Sequence, residues 1–316
     1  MREDGVIGNI GRQDWMEPAE EVLQKLIHDA FEFSGGRHAK NFLHGTWLGE
    51  PLHVILTDVP IGAWTAAIVF DALDSMNPRR QYSIAADTAV ALGLAGAVGA
   101  AATGLTDWQD IDPPARRIGL VHGLLNVASM ALFGASLVAR RRRARLAGRG
   151  LAALGYIVSA AAARLGGHLV YEQKIGVDRS DPEKLPDKFA PVLSESNLPD
   201  EKPVRVDHNG SPILLVRRGS EIYALGEMCS HLGGPLSQGK LEGEIIKCPW
   251  HGSRFSIHDG HVVEGPAVHP QPCLKARIRS GQVEVRKSGC RVATEEKAST
   301  TEIKTKSQPK RKQRAK

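Results

Sequence analysis

Four apolar stretches of 22 residues each fill the middle of the chain: "LHVILTDVPIGAWTAAIVFDAL" (52–73), "IAADTAVALGLAGAVGAAATGL" (84–105), "IGLVHGLLNVASMALFGASLVA" (118–139) and "GLAALGYIVSAAAARLGGHLVY" (150–171). As helices they would each extend about 33 Å, the thickness of a bilayer's hydrocarbon core. Short polar connections separate them: "DSMNPRRQYS", "TDWQDIDPPARR" and "RRRRARLAGR". A soluble bundle would carry a charged stripe along every helix. The third stretch has no charged residue in 22. The abundance of Ala and Gly suits helices whose backbones pack closely in lipid. The expectation is an all-α four-helix transmembrane bundle over 51–172, preceded at 1–50 by a segment with one short helix (about 18–33) and a Gly/His-containing loop.

Threading the four stretches up and down puts the start of the first, the end of the second, the start of the third and the end of the fourth at one membrane face, here face A. Polar pairs fall at each of these ends: His53 and Thr57, Thr103 and Asp107, His122 and Asn126, Arg164 and His168. Each pair is spaced i, i+4, so its members share one side of a helix. Ionisable groups at membrane depth usually face a bundle interior or a cavity. His53, Asp107, His122 and His168 are therefore candidates for a quinone head-group site, or for a haem b site with two of the three histidines as axial ligands; spacing alone does not choose between them. The opposite face B carries eight arginines (79, 80, 140–143, 145 and 149). The positive-inside rule puts that face in the cytoplasm.

The segments "GEPLHVILTDVPIG" and "GGHLVYEQKIGV" resemble a widespread bacterial family of small four-helix membrane proteins of unknown function, over about 45–178. The resemblance implies the bundle and a bacterial cell membrane, and no activity.

Two of the chain's four cysteines stand in "EMCSHLGGPLSQGKLEGEIIKCPWHGSRFS" (227–256) as C-x-H, sixteen residues, then C-x-x-H. Zinc sites usually space their ligands C-x2–4-C or H-x3–5-H. One Cys and one His from each of two loops suits a two-iron cluster instead, and glycines and a proline in each loop let the backbone turn N–H groups toward sulfur. The loops "CSHLGGPL" and "CPWHGSRF" resemble those of the Rieske iron–sulfur family, with the match running over roughly 188–287. The resemblance implies an all-β domain holding a [2Fe-2S] cluster, with Cys229 and Cys248 on one iron and His231 and His251 on the other. It also implies supporting roles for Ser253, through a hydrogen bond toward the cluster, and for Pro266 in the covering loop. Two neutral imidazoles in place of thiolates raise the reduction potential. Rieske proteins of quinol-oxidising complexes carry an extra, disulfide-bonded cysteine in each loop; Gly234 and Trp250 stand there here, so the domain resembles the ferredoxin type. Such a cluster suits the cytosol, which opposes the charge rule and leaves the side of the cluster domain open.

Rieske oxygenases also hold a mononuclear iron in a later domain, but no histidine follows His269. An electron carrier or oxidoreductase subunit is expected, not an oxygenase catalytic subunit. Runs such as "PILLVRR", "EIYALG" and "QVEVR" read as strands within 188–287, and the polar, proline-bearing 173–187 reads as a linker. The net charge of +6 is concentrated at the end: 287–316 hold ten Lys/Arg against three Glu. A basic disordered tail (288–316) and no nucleic-acid partner follow. No apolar leader opens the chain. The functional expectation is a membrane-anchored carrier exchanging electrons between its cluster and a quinone or haem in the bundle, with an unknown redox partner protein. The alternative is a redox-sensing or interaction module whose bundle is only an anchor.

Overall fold

The computed structural model describes residues 5–33, 36–180 and 182–288. The tail expected at 288–316, with Cys290, lies outside the described residues from 289 onward. Four long helices follow one another: α4 (Leu52–Met76), α5 (Arg80–Trp108), α6 (Ala115–Arg141) and α7 (Arg145–Tyr171), after the shorter α1 (Val6–Gly11), α2 (Glu17–Phe33) and α3 (Arg37–His44). All four long helices are long and apolar enough to cross a membrane, and only 22% to 28% of the residues in each span are buried within the protein. The remaining surface carries Val54, Ile55, Val59, Leu92, Leu124, Val127, Leu154 and Ile157, all exposed, as a lipid-facing surface requires. The helices overrun the predicted stretches because the connections are mostly helical; only 77–79, 109–114 and 142–144 lie between them.

The spans form two hairpins, α4 with α5 and α6 with α7. Small residues set the spacing within each. A Cβ at Gly93 would come within 2.3 Å of the Trp64 ring, and one at Gly155 within 3.1 Å of Phe133. These two rings stack on each other between the hairpins, with centroids 4.1 Å apart and planes 12° from parallel. At the face-B end the hairpins are tied by charge. The buried Arg140 donates from Nη1 to Asp71 Oδ1 at 2.8 Å and from Nη2 to Asp71 Oδ2, and reaches Asp87 at 3.1 Å. Arg145 and Arg149 pair with Asp74 on the same surface.

The β domain follows a linker that contains a short 3₁₀ turn (Pro182–Lys184). Its strands are β1 (Ala190–Ser194), β2 (Val204–His208), β3 (Ser211–Arg218), β4 (Glu221–Gly226), β5 (Lys240–Glu242), β6 (Ile245–Lys247), β7 (Arg254–Ser256), β8 (Val262–Glu264), β9 (Cys273–Arg279) and β10 (Gln282–Lys287). Six form a sheet in the order β1-β10-β9-β4-β3-β2, and four form a smaller sheet, β5-β6-β7-β8. One apolar core lies on the large sheet, around Ile213, Leu215, Val283 and Val285. A second joins it to the small sheet through Leu214, Leu236, Ile246, Phe255 and Ile257, and takes in Cys229 and Cys248.

The N-terminal segment corrects the expectation of one helix and a loop. Where the Gly/His-containing loop was expected, 37–44 form α3. This helix lies between the acidic α5–α6 turn and the β domain. From its buried His44, Nδ1 donates to Asp107 Oδ1 at 2.7 Å, and Nε2 lies 3.5 Å from Asp110 Oδ2. Lys40 Nζ reaches Asp110 at 2.9 Å. On its other side Asn41 Oδ1 accepts the N–H of Gly265 at 3.0 Å. Apolar contacts support the same junction: Leu232 of the β domain and Ile175 of the linker pack with Trp108, Ile111, Ala115 and Leu169.

Burial by itself pushes the His44 imidazolium toward neutrality, but its hydrogen bonds and charge attraction to Asp107 and Asp110 outweigh this and raise its pKa above the ordinary 6.5. The same contact helps to hold the Asp110 carboxyl below the usual range, against its burial.

Two outcomes follow from these charges. A histidine with a raised folded-state pKa adds stability that is complete below the ordinary value and is lost as pH rises through the raised one. Thermal melting in detergent should therefore fall as pH rises above the ordinary histidine value of about 6.5 more steeply in the wild type than in His44→Asn; parallel profiles would contradict this. Arg140→Leu leaves Asp71 buried without its main partner and should cost about 3–5 kcal/mol in a mixed-micelle denaturation. Asp71→Leu/Arg140→Leu, which removes both charges, should regain most of that loss.

Candidate metal centre

Two loops at the tip of the small sheet share one construction. In the first, Cys229 N–H donates to Gly234 O at 2.9 Å; in the second, Cys248 N–H donates to Ser253 O at 2.8 Å. Each therefore closes over six residues, and in each the residue before the closing one is a left-handed glycine, Gly233 (φ +82°) and Gly252 (φ +80°). Only glycine takes that conformation without steric cost. The tight return points backbone N–H groups inward. His231 N–H donates to the Cys229 sulfur, and Trp250 and His251 N–H groups donate to that of Cys248. Gly234 lies so close that a Cβ there would stand 2.8 Å from Cys248 Sγ.

The four side chains predicted as ligands come together. Both cysteines are buried and reduced. The hydrogen bond between the two sulfurs holds Cys248 down to about 7 and, with burial, raises Cys229. The His231 and His251 rings stand edge to face with centroids 5.1 Å apart. Burial, then the neighbouring His251, hold His231 down to about 3, which makes it the neutral imidazole that iron requires. His251 Nδ1 is buried with no hydrogen-bond partner, as an atom meant for a metal would be. Among the described residues no three such side chains converge on one point as a single ion needs; two sulfurs beside two imidazoles fit a cluster that spreads its ligands over two metals. When bound, a [2Fe-2S] cluster supplies reversible one-electron transfer.

Ser253 and Pro266, the two residues expected to support the site, lie in the second Cys-His loop and the loop that follows β8. Ser253 is fully buried, hydrogen-bonds the Cys229 sulfur, and accepts the Ala267 N–H at 3.0 Å. Pro266 follows Gly265, whose N–H is held by Asn41 of α3 and where a Cβ would stand 3.1 Å from the His44 ring. Sequence reasoning missed the other side of the site. His251 Nε2 lies 3.2 Å from Asp112 Oδ2, in the α5–α6 turn. The histidine edge of the site thus meets the helical domain at face A.

The four membrane-site candidates do not form one group. His53 Nδ1 donates to Ala100 O at 2.9 Å, and His122 Nδ1 to Ala162 O at 2.8 Å; both sit at the face-A ends of the hairpins. Asp107 turns up to His44 instead. His168 meets Gln173 at 3.3 Å and, with Arg164, Tyr171 and Ile7, lines a separate shallow groove of α7.

Comparison with known proteins bears on both halves. A model described as Rieske [2Fe-2S] domain matches residues 188–276, and one described as Predicted membrane protein (DUF2231) matches 49–179. The anthranilate 1,2-dioxygenase ferredoxin subunit of Burkholderia cepacia is 36% identical over 31% of this chain and 91% of its own length. Human apoptosis-inducing factor 3 is 29% identical over 38% of this chain, which spans about a fifth (20%) of that protein. Among solved structures, the ferredoxin of carbazole 1,9a-dioxygenase from Nocardioides aromaticivorans IC177 is 26% identical, with a TM-score of 0.31, covering 32% of this chain and 100% of that one. Paired Cys-His loops closed over buried sulfur, and a ferredoxin matched over nearly its whole length, lead to one assignment: the chain belongs to the Rieske [2Fe-2S] family, joined in one polypeptide to a DUF2231-type membrane domain.

Proposed function

We propose that this is a multi-pass electron-transfer protein of the bacterial cell membrane, in which the Rieske cluster exchanges electrons one at a time with a haem or quinone held at the face-A end of the bundle. The observation that carries the reading is the docking of the cluster's histidine edge. His251 faces Asp112, Leu232 packs into the junction, and α3 covers the Gly265–Pro266 loop. A carrier serving only soluble partners gains nothing from turning this edge toward a membrane domain. The relatives that are ferredoxin components of dioxygenase systems support a carrier role for the cluster half.

The residues around the site have separable tasks in this reading. Cys229, Cys248, His231 and His251 hold the irons. Ser253 and the inward N–H groups stabilise negative charge on sulfur, which favours the reduced state. Asp112 places a carboxylate at the outer nitrogen of His251, which favours the oxidised state. Leu232 and α3 keep the edge seated and exclude water.

The test is reoxidation of the dithionite-reduced cluster in proteoliposomes, followed by freeze-quench EPR after adding a short-chain benzoquinone. Reoxidation should slow at least tenfold when His53, His122 and His168 are all replaced by Ala. Equal rates would reduce the bundle to an anchor. The tuning roles predict opposite shifts in an EPR-monitored redox titration. Ser253→Ala should lower the cluster's potential and Asp112→Asn should raise it, each by tens of millivolts, on the order of one charge-assisted hydrogen bond. Shifts of the same sign would refute the assignment.

A further inference from the structure

The membrane domain is one helix hairpin built twice. Residues of α4 correspond to residues of α6 at a constant offset, and those of α5 to those of α7 at another. His53, Thr57, Trp64 and Asp71 match His122, Asn126, Phe133 and Arg140; Gly93, Ala100 and Gly104 match Gly155, Ala162 and Gly166. The contacts repeat as well. Trp64 lies on Gly93 as Phe133 lies on Gly155. His53 donates to Ala100 O as His122 does to Ala162 O. Each imidazole rests on a glycine, with a Cβ at Gly104 coming within 2.7 Å of His53 and one at Gly166 within 3.0 Å of His122.

Matching residues also touch each other across the hairpins. Trp64 stacks on Phe133, and Asp71 pairs with Arg140. This happens when two copies are related by a local two-fold axis running along the seam between α4 and α6. His53 lies eighteen residues before Asp71, and His122 eighteen before Arg140. Eighteen residues are five full helical turns at 3.6 per turn, so both histidines lie on the faces that meet at this seam. Phe133, Arg140, Trp64 and Asp71 are buried, while His53 and His122 are only half-buried. Buried side chains close the seam at its centre and at face B, and at face A each of the two helices contributes a half-buried imidazole.

We propose that the face-A end of this seam binds a haem b, with His53 and His122 as its two axial ligands. The hydrogen bonds choose this ligand class. With Nδ1–H held by a backbone carbonyl, the lone pair of each ring is on Nε2, the arrangement found in metal-ligating histidines. Asn126 Nδ2 donates to His122 Nε2 at 3.1 Å, as an acceptor nitrogen allows. Quinone carbonyls need donors, and neither Nε2 is one in this tautomer. A planar macrocycle with a central iron takes one lone pair from each side. Haem iron also changes by one electron, as the cluster does, whereas a quinol must lose two. The inference deepens the proposed electron-transfer reading and rests on it for its purpose, but not for its test.

The full-length protein, purified in detergent from cells supplied with a haem precursor, should show a low-spin, six-coordinate b-type spectrum with about one haem per chain. Chain count and cluster EPR would be measured on the same sample. His53→Gly and His122→Gly should each lose that spectrum, retain the cluster signal, and recover low-spin character on adding free imidazole. His168→Ala should keep its haem. A protein with an intact cluster signal that neither carries haem nor takes up added haemin would overturn the inference, as would haem binding unaffected by both variants. A quinone analogue whose binding depends on His53 and His122 in a haem-free protein would also overturn it. In the last case the reoxidation assay above would still succeed, so the two readings fail separately.

Discussion

The acidic turn between α5 and α6 is where all parts of the molecule meet. Asp107 and Asp110 hold His44 and Lys40 of α3, and Asp112 reaches His251 of the cluster site. Isolated surface ion pairs contribute little. These contacts gain weight from burial: His44 is 1% exposed, and an apolar patch centred on Trp108, Ile111 and Leu232 lies beside them. Without this turn the β domain would be a tethered ferredoxin. With it, the ligand edge of the cluster domain has a fixed orientation relative to the helices.

Each half of the chain solves a different packing problem. In the β domain, water drives Leu214, Leu236, Phe255 and their neighbours together, and the two tight loops are built on that core. In the bundle, lipid provides no such drive between helices. Close approach at Gly93 and Gly155, one aromatic stack and one buried ion pair carry the specificity there. The β half is therefore organised around a ligand-bearing tip, and the helical half around a seam.

The sequence reveals what is encoded by local spacing. Cys229, His231, Cys248 and His251 are legible because each loop carries its own pair, and the four spans because each is continuous. β3 and β4 are visible as branched and aromatic runs. β2, "VRVDH", alternates as a strand should but is short and half-charged; β5, "KLE", has only three residues. Helix α3 is illegible because "RHAKNFLH" has few apolar residues and is held by partners remote in sequence; Asn41 and Gly265 are 224 residues apart. Asp112 has no pattern at all. The duplication is hidden because most matched positions differ, Trp against Phe and Asp against Arg, while their contacts agree.

That last mismatch has a consequence for assembly. Two identical hairpins pairing about a two-fold axis would set like against like at every matched site. Asp71 and Arg140 are opposite in charge, so the first hairpin is attracted to the second, while either one meeting its own copy would bring two equal charges together in a dry environment. The bundle therefore rejects self-pairing of its halves: the partner each hairpin favours is a hairpin of the other kind.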